Sequence, residues 1–114
     1  MTASGTGFTF HFPPEFDDRA EYEMELRGHL NGGQVELADG RRFPIFFFDP
    51  VRLSQELAGV VAEGDVVVAE PGMVVIPDVT RENILKAIDR LIAQRFFDHM
   101  KSVAAPIRNG VSAR

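Results

Sequence analysis

The first pattern along the chain is an alternation of apolar and polar residues with a period of two, which is typical of strands with one buried face. Residues 8–12 alternate phenylalanine with polar side chains, and the two prolines that follow would end this strand. Residues 20–30 alternate again, with Tyr22, Met24 and Leu26 on one side. The other side would carry the charged residues of the segment: Glu21, Glu23, Glu25 and Arg27. A helix would not separate these two sets, so the pattern predicts a second strand with an acidic outer face.

Two turn signals set the register of the strands that follow. Asn31-Gly32 predicts a two-residue turn between residues 20–30 and a strand at 34–37, because both central positions of a type I′ turn need positive φ. The loop 38–40 ends in a glycine, which suits the left-handed position of a bulged three-residue turn. That loop would place Val35 opposite Phe43. These segments are expected to form an antiparallel meander.

In this register, the strand that begins near Phe43 sends aromatic side chains to both faces of the sheet. Phe46 and Phe48 would lie on the outer face, beside the acidic residues of the neighbouring strand. A sheet with one covered face normally carries polar residues at such positions. Either another element of the chain covers Phe46 and Phe48, or they form an interface with Pro44 and the charged residues named above.

Two segments repeat apolar residues at helical spacing. Asp49-Pro50 supplies an N-cap and a proline at the first helical position, and an amphipathic pattern then continues to Gly64. Thr80, or Asp78 in its place, is a second candidate N-cap, and the clearest apolar stripe of the chain follows at residues 84–96. Each of these signals predicts a helix that lays one apolar side on the sheet.

Between the two helices, the apolar segments 66–69 and 73–76 flank a Glu-Pro-Gly turn and predict a second short β-hairpin. The predicted element order is β-β-β-β-α-β-β-α, with both helices on one face of the sheet. This order predicts an α+β fold in a single domain at residues 1–100. Residues 101–114 have no clear period and carry a charge of +3, so we interpret them as a flexible basic tail.

Charge and composition narrow the function classes. The 114 residues carry a net charge of −5, and residues 15–25 alone hold six acids and one arginine. A nucleic-acid partner is not expected, because phosphate would be repelled there. The absence of cysteine excludes disulfides and zinc–thiolate sites. No apolar run approaches the roughly 20 residues that span a bilayer, so we expect a cytoplasmic protein without a membrane partner.

The sequence offers no catalytic or ligand-binding motif, so no catalytic residue, metal site or cofactor is predicted. None of the serines stands in a nucleophile motif, and His11, His29 and His99 fall in three separate elements without metal-ligand spacing. Paired carboxylates at 21–25 are typical of a solvated strand face when no apolar pocket adjoins them.

These observations favour a non-enzymatic protein-interaction module that forms a homodimer or binds another protein through a sheet face. The interface candidates are Phe46, Phe48, Pro44, Glu21, Glu23, Glu25 and Arg27. One alternative is a small ligand-binding domain or enzyme that combines the acidic strand with His11 or His29. Another is an inhibitor or immunity-type protein whose acidic segment binds a basic partner.

Overall fold

The computed structural model describes residues 1–103, which form a five-stranded mixed sheet with three α-helices, so the predicted α+β class is confirmed. The strands are β1 (Thr2–Gly5), β2 (Phe8–His11), β3 (His29–Leu37), β4 (Arg42–Phe48) and β5 (Met73–Val75). The helices are α1 (Asp18–Arg27), α2 (Pro50–Ala62) and α3 (Arg81–Ala93), and a 3₁₀ turn follows at Phe96–His99. Among these described helices, none is long and apolar enough to cross a membrane.

The sheet is a four-stranded antiparallel meander with one parallel strand added at its edge. Strand order follows the sequence from β1 to β5, and β5 pairs with β4 in parallel. The predicted loop 38–40 is confirmed: Val35 lies opposite Phe43, and Gly40 has φ of +89°. A parallel pair needs a long crossover between its strands, and α2 is part of that crossover.

The core lies on one face of the sheet, under α3. Phe10, Val35, Phe43 and Phe47 are fully buried on that face, as are Ile84 and Ile88 of the helix. The Thr80 side chain accepts a hydrogen bond from the Asn83 amide, so the predicted cap and stripe of α3 are both confirmed. This face is the part of the fold that the apolar periodicity describes well.

The predicted strand at residues 20–30 is wrong, because residues 18–27 form α1. Asp17 caps the helix by accepting a hydrogen bond from the Ala20 amide, and Gly28 ends it with φ of +71°. Acidic residues in the first turn and Arg27 in the last turn also favour a helix, through its dipole. These end signals outweigh a period-two pattern whose members also recur at helical spacing, four residues apart.

Three further differences from the predictions concern β3, β1 and α1. Asn31-Gly32 lies inside β3, at a register irregularity between Leu30 and Gly33, and does not join two strands. Strand β1, which the alternation did not predict, pairs with β2 as a hairpin. Met24 alone of the three predicted core residues of α1 is buried, whereas Tyr22 and Leu26 are exposed.

The predicted hairpin at 66–69 and 73–76 is reduced to the single strand β5. Residues 66–69 form no strand, and Val66 is 83% exposed. The helices do not share one face either. Met24 of α1 joins the core cluster of α3, whereas α2 lies against the face of Phe48 and His29. Of the predicted tail, residues 104–114 lie outside the described part, and the Ser102 hydroxyl and Val103 amide both donate to the Arg42 carbonyl.

Candidate functional site

The predicted aromatic pair lies on the outer sheet face, as expected, but the chain partly covers it. The rings of Phe46 and Phe48 meet edge to face with their centroids 5.8 Å apart. Phe48 is buried and stacks with His29 at 6.4 Å, Phe46 is half-buried, and Pro44 is exposed. The sequence left open whether the chain covers Phe46 and Phe48, and in the structure the chain covers Phe48.

The acidic candidates lie elsewhere, on α1. Glu21 forms two hydrogen bonds with Arg81 of α3, from Nη2 at 2.7 Å and from Nε at 3.1 Å. These bonds hold the pKa of Glu21 below its ordinary value of 4.5. Glu23 pairs with Arg19 and, at 3.9 Å, with Arg27. The predicted site of aromatic and acidic residues is thus divided between the two faces of the sheet.

His29 is the titratable group that α2 covers. Its Nδ1 atom is buried without a hydrogen-bond partner. Burial lowers the pKa of His29 below 6.5, and the positive charge of Arg52 on α2 lowers it further. Glu56, also on α2, acts in the opposite direction. Burial and the charge of Arg52 thus both disfavour the protonated form of the imidazole.

A second histidine belongs to a polar cluster on the uncovered part of the outer face. His11 Nε2 lies 2.7 Å from Glu36 Oε1, and Arg42 Nε lies 3.9 Å from the same oxygen. His11 and Arg42 also line a pocket of about 310 Å³, to which Gln34 contributes. This cluster can hold a small polar group, but no serine lines the pocket. Within residues 1–103, no group of three or more His, Asp or Glu side chains could hold a metal ion.

The outer surface of α2 carries the apolar side chains that lack a partner. Asp49 caps the helix and Pro50 starts it, as predicted, yet none of its 13 residues is buried. Leu53 and Val60 are half-buried, whereas Leu57 is 42% exposed and Val61 is 56% exposed. Leu57 and Val61 lie one turn apart, on the side of the helix away from Arg52 and Glu56. The stripe that predicted the helix is therefore largely open.

The exposed apolar surface extends beyond α2. Val66 and Val67 follow the helix in the chain, and Val75 ends the edge strand β5; all three are exposed. Helix α2 and the end of β5 lie near the same part of the sheet: Val75 pairs with Phe48, Phe48 pairs with His29, and the charges of Arg52 and Glu56 act on His29. We name this surface the edge patch and define it as Leu57, Val61, Val66, Val67 and Val75.

Sequence reasoning missed the edge patch because each part of it was assigned to a covered element. The stripe of α2 was expected to lie on the sheet, and residues 66–69 were expected to pair as a strand. A signal was present in the sequence: the exposed side chains belong to one segment, 57–75, that contains no Lys, Arg or His. In such a segment, the acidic side chains have no Lys, Arg or His close in the sequence with which to form an ion pair.

Comparison with known proteins adds no further guide. The chain matches no protein-family model, no curated protein and no solved structure.

Proposed function

We propose that this chain is a non-enzymatic protein-interaction module that binds a protein partner through the edge patch. One observation carries the proposal: α2 is a capped, amphipathic helix that leaves Leu57 and Val61 exposed and buries none of its residues. An amphipathic helix gains stability mainly by covering its apolar side, so an uncovered stripe marks a surface that another molecule can cover.

The neighbouring edge strand supports the same surface. Strand β5 ends the sheet, is only three residues long and leaves Val75 exposed. Apolar side chains grouped at the centre of a surface, with polar residues around them, are typical of interfaces between proteins. The edge patch replaces the sheet-face interface that the sequence suggested, because Phe48 is buried and Phe46 is half-buried.

A second candidate function is a small-ligand site at the His11–Glu36–Arg42 cluster. The observation that favours it is the 2.7 Å contact between His11 and Glu36 at the edge of a pocket. We rank it second because His11 already engages Glu36, although Arg42 Nε is buried without a hydrogen-bond partner. The lack of a nucleic-acid partner stays a prediction, which the acidic net charge supports. A cytoplasmic location also stays a prediction.

The test is a selection of random displayed peptides against the full chain. We expect enriched peptides that bind the unchanged protein and lose at least about tenfold in affinity for the variant Leu57→Ser/Val61→Ser, which corresponds to about 1.4 kcal/mol. Fluorescence anisotropy of labelled peptides measures the affinities. Neither side chain is buried, so the variant should fold normally, and circular dichroism checks this.

The matched control is Tyr22→Ser/Leu26→Ser on α1, which also removes two exposed apolar side chains one turn apart. Peptides that bind both double variants equally, or no enrichment at all, would contradict the proposal. Peptides whose binding is lost in His11→Ala and kept in Leu57→Ser/Val61→Ser would overturn it in favour of the second candidate.

A further inference from the structure

The charges around the edge patch are all of one sign. From residue 53 to residue 80 the chain contains five acids and no Lys, Arg or His. The acids are Glu56, Glu63, Asp65, Glu70 and Asp78, and all except the half-buried Glu56 are exposed. The apolar side chains of the patch therefore lie within a segment that is purely acidic.

Within residues 1–103, one of these five acids forms an ion pair, against three of the six acids on α1 and α3. On α1 and α3, Glu21, Glu23 and Glu82 each form an ion pair with an Arg or Lys side chain. Among the five acids of the patch segment, the ion pairs within residues 1–103 include only Glu56 with Arg52, at 3.0 Å. The other four form no ion pair within these residues, and Glu63 and Asp65 stand in the chain between Val61 and Val66 of the patch.

From this combination we propose that the edge patch binds a basic amphipathic helix of another protein, with its apolar side on the patch and its Lys or Arg residues on the acidic rim. This inference rests on the proposed function and adds the chemistry of the partner. Leu57 and Val61 form a row along α2, and a row of this kind packs between the side-chain ridges of a second helix. The four free acids supply the complementary charge that steers a basic partner to the patch.

The negative charge of the rim argues against three other molecules that could cover the patch. A second copy of the chain would bring two acidic rims together, and like charges placed against each other oppose association. Nucleic acids and anionic membranes carry phosphate, so the rim repels both. Of these occupants, a basic protein segment is the one that both the apolar and the charged parts of the patch favour.

The probe is a labelled amphipathic peptide of about 18 residues with Leu on one side and Lys on the other, long enough to form a helix on binding. Its partner probe has the same sequence with every Lys replaced by Glu. We expect the Lys peptide to bind the full chain, and to bind at least about tenfold more weakly in about 500 mM salt than in about 50 mM. The Glu peptide should not bind measurably.

Two variants test the location of binding. Leu57→Ser/Val61→Ser should weaken binding of the Lys peptide at least about tenfold. The triple variant Glu63→Gln/Asp65→Asn/Glu70→Gln should weaken it similarly and reduce its salt dependence. The matched control, Glu25→Gln/Glu82→Gln/Asp89→Asn, removes three exposed acids outside the patch and should leave the affinity within about twofold.

The remaining outcomes would each overturn the inference. Equal weakening in both triple variants would show unspecific attraction to an acidic protein and overturn the inference. Selected peptides that bind at the patch but are neutral or acidic would overturn it while leaving the proposed function intact. A dimer seen by sedimentation and lost in Leu57→Ser/Val61→Ser, or binding of vesicles rich in anionic lipid, would assign the patch to a different occupant.

Discussion

Helices α2 and α3 have the same length and similar signals in the sequence, yet only α3 buries its apolar side. Each spans 13 residues and begins with a side-chain N-cap, Asp49 in α2 and Thr80 in α3. Helix α3 buries Ile84 and Ile88 completely, whereas α2 buries no residue. A capped amphipathic stripe therefore predicts that a helix forms, but it does not predict how much of the stripe is covered.

The difference lies in what the sheet offers on its two faces. The face under α3 carries the phenylalanines and branched residues of β2, β3 and β4, which form a continuous apolar layer. The face under α2 carries polar residues over most of its area, with Phe46 and Phe48 near one end. Helix α2 lies there because a parallel β4–β5 pair needs a crossover, so the chain connection holds it even without deep burial.

The largest expected difference between the two helices is in the cost of truncating an apolar side chain. Ile88→Ala removes a fully buried side chain and should lower the free energy of unfolding by about 2–5 kcal/mol. Leu57→Ala removes a side chain that is already 42% exposed, and it should cost below about 1 kcal/mol. Urea denaturation followed by circular dichroism measures both values.

If Leu57→Ala lowered the free energy of unfolding as much as Ile88→Ala, α2 would be covered in solution, and the contrast between the two helices would be wrong. A control for helix propensity is Ala58→Gly, at an exposed position inside α2, which should cost about 1 kcal/mol. A large Leu57 effect that appears only at high protein concentration would indicate coverage by a second copy, which contradicts the partner chemistry proposed above.

A smaller difference concerns the charged contacts of the two helices. Arg81 joins α3 to α1 by two hydrogen bonds to Glu21, whereas the Arg52–Glu56 pair lies within α2. We expect Glu21→Gln to cost about 1 kcal/mol, a value reduced by partial exposure. Glu56→Gln should cost a few tenths of a kcal/mol, as for other pairs within one helix.

The stability that Glu21 contributes should depend on pH. The pKa of Glu21 is lowered in the folded chain, so its stabilisation is present above the unfolded value of about 4.5. It is lost as the pH falls through the folded-state pKa. Urea titrations from neutral to acidic pH should therefore show a steeper loss of stability in the unchanged chain than in Glu21→Gln. Equal slopes would mean that the Glu21–Arg81 contact is not formed in solution.

The sequence predicted those parts of the fold where local chemistry and packing agree. The loop 38–40, the Asp49 cap and the Thr80 cap each depend on a few adjacent residues, and all three are confirmed. The core side of β4 was also predicted, because its alternation matches the burial of Phe43 and Phe47. At these places a residue-level rule and the tertiary structure require the same conformation.

The failures occur where two periods fit the same residues or where pairing is distant. Tyr22 and Leu26 alternate with acids at period two but also lie four residues apart, so the pattern alone does not separate strand from helix. The capping residues Asp17 and Gly28 carried the signal that decides for α1. The parallel pairing of β5 and the open state of α2 depend on contacts that no local pattern records, so neither was predicted.

The smallest expected effect tests how closely α2 lies on its face of the sheet. Burial and the nearby charge of Arg52 lower the pKa of His29 in the folded chain, whereas the unfolded chain keeps a value near 6.5. Between these two values the unfolded chain binds more protons, so stability should fall as the pH is lowered from about 7 and level off below the folded-state pKa. His29→Gln should flatten this slope, and His99→Gln, at an exposed position, should leave it unchanged. Equal slopes in the unchanged chain and His29→Gln would mean that water reaches the imidazole and that α2 is seated even more loosely than its exposed stripe indicates.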